Sequence, residues 1–132
     1  MMMKVLQPEN WARPKGYANG ISAKGRMIFV SGAIGWNQHG KLTAGDFAGQ
    51  VRQALQNIVT ILAEGGAKPE HIVRLNWFVL DKKEYVGAYG EIGKIYREII
   101  GRHYPAMTAV EVSGLLEEGA RVEIEATAVV PE

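Results

Sequence analysis

The chain of 132 residues has no cysteine, almost no net charge and no long apolar run. Lacking cysteine, it has no disulfide framework, thiol catalysis or thiolate metal site, and a reducing cytoplasm is its expected location. Lys and Arg number 15 against 14 Asp and Glu, too even a balance to gather nucleic acid or an anionic membrane. Neither the opening MMMKVLQPENW nor any later segment is apolar for long enough to be a signal peptide or a membrane span. Standard motifs are missing too. VSGAI around Ser31 is not a G-x-S-x-G elbow, no P-loop occurs, and GYANG lacks the spacing and setting of a dinucleotide loop. His39, His71 and His103 show no paired ligand spacing. Trp11, Trp36 and Trp77 do not alternate with basic residues as stacking platforms for single strands do. The expectation is a small-molecule site with no cofactor and no metal.

What is present is patterning that suits a single domain over 1–132, a length that buries about two-thirds of the unfolded surface. Val5 to Gln7 reads as a short opening strand. YANGISAKGRMIFVSGAI reads as a hairpin turning at Lys24-Gly25, because glycine accepts the positive φ of such turns. From Asp46 the period lengthens: Phe47, Val51, Ala54, Leu55, Ile58, Val59 and Leu62 recur at helical steps, closed by Gly65-Gly66. HIVRLNWFVLD predicts a strand with Val73, Leu75, Trp77 and Val79 on one face and Arg74, Asn76, Phe78 and Leu80 on the other. A second helix is expected from about Glu84 to Ile100, with Tyr85, Tyr89, Ile92, Tyr96 and Ile99 as its stripe, ending before Pro105. Gly87, Gly90 and Gly93 within it suggest close backbone packing. MTAVEV and ARVEIEATAVV supply the last strands. In the latter, Val122, Ile124, Ala126 and Ala128 alternate with Arg121, Glu123, Glu125 and Thr127.

The order β-β-β-α-β-α-β-β implies an α+β fold, with one mixed sheet and two helices on a single face. Nothing in the chain then covers Met27, Phe29, Phe78 and Leu80. Apolar area of that kind marks an interface, so a homo-oligomer packed sheet against sheet is expected, with Glu123 and Glu125 looking toward a neighbouring subunit.

Several stretches together resemble the RidA (YjgF/YER057c/UK114) superfamily: GYANGI at 16, RMIFVSGAIGWN at 26, AGQVRQALQNIVTILAEGGA, IVRLNWFVLD, YPAMTAVEV and VEIEATA. The resemblance runs in order over nearly the whole chain. It implies a chorismate-mutase-like fold, a homotrimer with ligand clefts between subunits, and no cofactor. The best-known members hydrolyse imines and enamines such as 2-aminoacrylate to a keto acid and ammonia. In them an arginine after the Pro-Ala step pairs with the substrate carboxylate. Here the step reads Pro105-Ala106-Met107, and methionine cannot replace a bidentate guanidinium. Ala109 stands where the family has a small polar residue, and Tyr89 where it frequently has asparagine. The chain thus resembles a divergent member without the carboxylate-binding arginine. Tyr17, Ser31 with Gly32, and Glu123 match family positions, Glu123 matching the glutamate that places or activates water. Glu125 is the alternative, because LLEEGARVEIE is one residue longer than the family turn. The implied site has Glu123 and Tyr17 as catalytic groups, with Ser31, Gly32, Met107, Ala109 and Tyr89 contacting substrate.

Each position also has a structural reading. Glu123 suits a salt bridge across a subunit contact with Arg74 or Arg121, and Tyr17 suits packing beside the hairpin. Ser31-Gly32 suits a strand end or bulge, with glycine there because another backbone comes close. Met107 suits a soft apolar wall that favours a less charged or bulkier ligand. The expected function is cofactor-free imine or enamine hydrolysis at inter-subunit clefts, and the alternative is a ligand-binding or regulatory trimer without turnover. The older family labels of endoribonuclease and translation inhibitor find no support in the charge distribution.

Overall fold

A computed structural model describes residues 3–132; the first two methionines, part of the expected 1–132 domain and of its opening, lie outside the described residues. Helix α1 (Phe47–Glu64) follows its sequence pattern: Phe47, Val51, Ala54, Leu55, Ile58 and Leu62 are buried, and Val59 packs partly buried against them. Its start is fixed by Asp46, whose carboxylate accepts from the Gly49 amide at 3.1 Å. Its end is a Schellman motif, with Gly66 at φ 76 and the Ala67 amide donating to the Leu62 carbonyl at 2.9 Å.

Four strands form a mixed sheet in the order β3 (Arg26–Ala33), β6 (Val122–Val130), β4 (Ile72–Val79), β5 (Ala106–Glu111). Neighbours are antiparallel except β4 and β5, which run parallel. Leu75, Trp77, Val79, Val122, Ile124 and Ala126 look to one side, where α1 and α3 (Tyr89–Ile99) cover them and complete the core. The architecture is α+β, as expected.

Four details differ from the sequence reading. The strand β2 (Gly20–Ala23) pairs with β1 (Met3–Leu6) in a separate two-stranded sheet, so the six strands do not form one sheet and Lys24-Gly25 is not a hairpin turn. Gly25, at φ 150, lies against the end of β6, where a Cβ would collide with the Val130 carbonyl. The chain therefore changes partner there, and Arg26 pairs with Val130 instead of turning back on β2. Second, the helix expected from Glu84 to Ile100 is two: α2 (Lys82–Gly87) and α3, broken at Ala88 with φ −106 and ψ 12. Gly87 and Gly90 flank the break, and glycine weakens a helix interior. A Cβ on either would meet nothing within 4 Å, so the glycine spacing is not a packing seam. Third, the β4 register shifts between Ile72 and Arg74, which turns Ile72 rather than Val73 into the core. Fourth, only part of the expected apolar face is strongly bare. Phe29 is 70% exposed and Met27 56%, whereas Phe78 is partly buried among its neighbours.

That bare face also carries Ser31, Arg74, Asn76, Glu123, Glu125 and Thr127, set by the alternation of β3, β4 and β6. One polar side chain is buried on the opposite side. Gln50, 1% exposed, donates to the carbonyls of Ala44 at 3.0 Å and Gly119 at 2.9 Å, and accepts from the Arg121 amide at 2.7 Å. It ties α1 to the loop that feeds β6. Among the described residues, no helix is long and apolar enough to cross a membrane.

Candidate functional site

A cavity of about 840 Å³ lies between β4, β5 and the two helices α2 and α3. Tyr17, Tyr89, Met107 and Ala109 all line it. Met107 and Ala109 sit opposite Leu75 and Trp77 in the parallel register, hence on the helix side of the sheet. Tyr17 is delivered by a loop pinned to the start of β5: the Ala18 amide donates to the Pro105 carbonyl at 2.9 Å, and Ala18 bridges Ala106. Tyr17 thus flanks the β5 entrance; the expected packing beside a β2–β3 hairpin does not occur. Tyr89 opens α3 directly after the break at Ala88 and meets Tyr85 edge-on, centroids 5.2 Å apart.

Tyr85 in turn contacts Phe47 at 6.2 Å and Trp77 at 6.1 Å, and Tyr96 stacks on Tyr104 at 5.5 Å. Burial, and then the neighbouring Tyr89, raises the Tyr85 phenol pKa; burial and Tyr104 do the same to Tyr96. Both phenols stay neutral through the physiological range. The Tyr96 hydroxyl donates to the His103 carbonyl at 2.5 Å, and His103 Nε2 donates to the Ile72 carbonyl at 2.6 Å, fixing the bend that leads into Tyr104.

Ser31, Gly32 and Glu123 lie on the other face. The register of β3 against β6 slips between Val30 and Ala33, so Ser31-Gly32 forms a bulge. The glycine is required by a side chain: a Cβ on Gly32 would come 2.7 Å from Glu123 Cδ and closer still to Oε2. The Glu123 carboxylate therefore rests over the bulge. Within the chain neither expected cation pairs with it. Arg121 is held by Glu84 at 2.8 Å, an interaction that raises the guanidinium pKa, and Arg74 donates to Thr108 Oγ1 at 3.4 Å. Glu125, one alternation further on, accepts from Asn76 Nδ2 at 2.9 Å and borders a shallow hollow of about 390 Å³ with Ser31 and Arg74.

The candidate residues thus fall into two groups on opposite faces of one sheet. Sequence reasoning missed Trp77, Tyr85, Tyr96 and Tyr104 as cavity walls. It placed Tyr85, Tyr89 and Tyr96 on one apolar helical stripe and drew only Tyr89 into the site. No group of three or more metal-ligating side chains clusters among the described residues.

Residues 10–130 match the family model described as Endoribonuclease L-PSP. A RutC family protein of Pyrococcus horikoshii is 33% identical over 129 residues, 96% of this chain and 98% of the relative. A 2-iminobutanoate/2-iminopropanoate deaminase of Escherichia coli K12 is 33% identical over 132 residues, 97% of this chain and 98% of the relative. The crystal structure of a protein of the conserved Rid family from Yersinia pestis, described as of unknown function, superposes with a TM-score of 0.86 at 28% identity, over 98% of this chain and 100% of that one. With its fold, the family model and these relatives in agreement, this chain belongs to the YjgF/RidA/UK114 family.

Proposed function

We propose that the protein hydrolyses an imine or enamine without a cofactor, as a homotrimer of single-domain subunits in the cytoplasm, at clefts where two subunits meet. The observation that carries this reading is the split of the candidate residues. Tyr17, Tyr89, Met107 and Ala109 line a cavity on the helix side, while Ser31, Gly32 and Glu123 sit on the bare face. A sheet separates the groups within one chain, so one cleft receives both only if a second copy supplies the other half. Exposed Phe29 and Met27 give that copy an apolar surface to cover. The name of the Escherichia coli relative supports the reaction class.

In this reading Glu123 takes a proton from water as the water oxygen attacks the C=N carbon. Glu123 returns that proton to the nitrogen, and the adduct collapses to the carbonyl with cleavage of the C–N bond as its hydroxyl proton passes to the departing ammonia. The Ser31-Gly32 backbone and the Tyr17 hydroxyl orient substrate and leaving group. The test is complementation. Tyr17→Ala and Glu123→Gln trimers should each be inactive, and refolding them together should restore about a quarter of wild-type turnover, since random pairing leaves that share of clefts intact. Mixed trimers that stay inactive would sink the shared cleft.

Gly32→Ala probes the same half-site. The atoms it displaces belong to the end of a flexible carboxylate, so the unfolding free energy should change by no more than about 1 kcal/mol. Imine turnover should fall by roughly tenfold or more as the base is pushed off its position. Unchanged turnover with a normal melt would separate Glu123 from catalysis. Met107, in place of a cation, favours a second reading in which the cleft binds its ligand without turnover. Saturable binding with no product in the same assay would establish that reading.

A further inference from the structure

We propose that the ligand is a 2-imino acid with an aromatic side chain, its ring held in the helix-side cavity and its carboxylate at the cationic rim. The chemistry rests on the hydrolase reading above; the choice of ligand rests on the cavity. All five tyrosines of the chain line this one space, together with Trp77. Two ring pairs are already ordered there, Tyr85 edge-on to Tyr89 at 5.2 Å and Tyr96 stacked on Tyr104 at 5.5 Å, and aromatic edges and faces of this kind pair favourably with a further ring. Two rings at the mouth, Tyr17 and Tyr89, remain 43% and 56% exposed and are available to close over it.

The size agrees. A volume of about 840 Å³, open on one side where a second copy would close it, lies within the range of pockets for drug-sized ligands and admits a ring. Met107 and Ala109 give the β5 side of the space an apolar lining suited to a ring. The charge needed for a carboxylate comes from elsewhere. Lys15, Lys82 and Arg97 line the cavity, and none is in a salt bridge among the described residues. The single acid of the lining, Glu111, is already engaged by the Lys82 amide at 2.8 Å. Gly93 makes room for the Arg97 guanidinium, since a Cβ there would stand 3.2 Å from Nη1. A cation group displaced from position 107 to the rim fits an acid whose carboxylate is separated from the cavity floor by a ring-bearing side chain. The reaction stays balanced: the water oxygen becomes the new carbonyl, the C–N bond breaks, and the nitrogen leaves as ammonium with no oxidant or reductant.

The test uses calorimetry with the stable 2-oxo acids phenylpyruvate and pyruvate, beside turnover of the corresponding imines generated in situ by an amino acid oxidase. Phenylpyruvate should bind about 50-fold more tightly, the value expected for burying a phenyl ring. Tyr89→Ala should weaken phenylpyruvate about tenfold, more than it weakens pyruvate. Met107→Arg should narrow the preference by favouring pyruvate. Equal affinities, or a Tyr89→Ala protein that binds phenylpyruvate normally, overturn the proposal. Phenylpyruvate binding without turnover of either imine keeps the aromatic cavity and removes hydrolysis. Turnover of 2-iminopropanoate with no phenylpyruvate binding does the reverse. If Tyr89→Ala dissociates the assembly and phenylpyruvate never binds, the cavity is a subunit contact and the proposal fails.

Discussion

Glu123→Gln is expected to lower imine turnover by roughly 100-fold or more while leaving the melting temperature almost unchanged. The amide keeps the size of the side chain and its place over the Ser31-Gly32 bulge but cannot take a proton from water. Stability should hold because Glu123 has no salt-bridge partner among the described residues. The competing possibility is a buried ion pair across a subunit contact. In that case the same substitution strands a cation and should destabilise the assembly by about 3 to 5 kcal/mol. Thermal unfolding and turnover measured on one sample separate the two. Glu125→Gln is the register control: its Oε1 still accepts from Asn76 Nδ2, the bond seen at 2.9 Å, so both quantities should stay near wild type. A Glu123→Gln protein that melts normally and keeps full activity would leave that carboxylate merely solvated.

The largest effect on folding is expected at Gln50. Gln50→Leu is close in volume but removes two donors and an acceptor together, orphaning the carbonyls of Ala44 and Gly119 and the amide of Arg121. Each buried orphan costs about 1 to 3 kcal/mol, and partial rescue by water brings the expected loss to about 3 to 5 kcal/mol. Urea denaturation should show a lower midpoint with an unchanged slope. Gln50→Glu should be nearly as harmful, because a carboxylate cannot donate to two carbonyls. A loss below about 1 kcal/mol for both would mean that the loop before β6 does not depend on this side chain.

How far the sequence reaches depends on whether a feature is local. Helix α1 is legible from end to end, since Asp46, the apolar steps and Gly65-Gly66 all act within a few residues of one another. So is the alternation of β6. What fails is what another strand decides. Lys24-Gly25 has the chemistry of a hairpin turn, yet the carbonyl of Val130, over a hundred positions along, occupies the space beside Gly25. The slip at Val73 is likewise invisible in its own segment, because a bulge is a relation between two strands. For the site, resemblance supplied Tyr17, Tyr89, Met107 and Ala109, and folding gathers them in one cavity. Separation from Glu123 by the thickness of a sheet is a tertiary fact. The tyrosine wall was hidden differently: residues at 85, 89 and 96 on an apolar stripe look the same whether they meet a core or enclose a space.

The strand β5 is bonded to β4 along one side, and on the other, among the described residues, only Ala18 bridges it, at its first residue. Its residues from Thr108 to Glu111 are exposed, whereas the largest fully buried side chains, Pro105 just before it apart, belong to α1, β4 and β6. Met107 and Ala109, the two candidate site positions of this strand, are therefore carried at the edge of the sheet. An exchange such as arginine for methionine at 107 disturbs a side chain at the margin of the core, not one of its fully buried members. If the proposed cleft is the site, a lineage keeping this scaffold can change what it accepts one edge residue at a time.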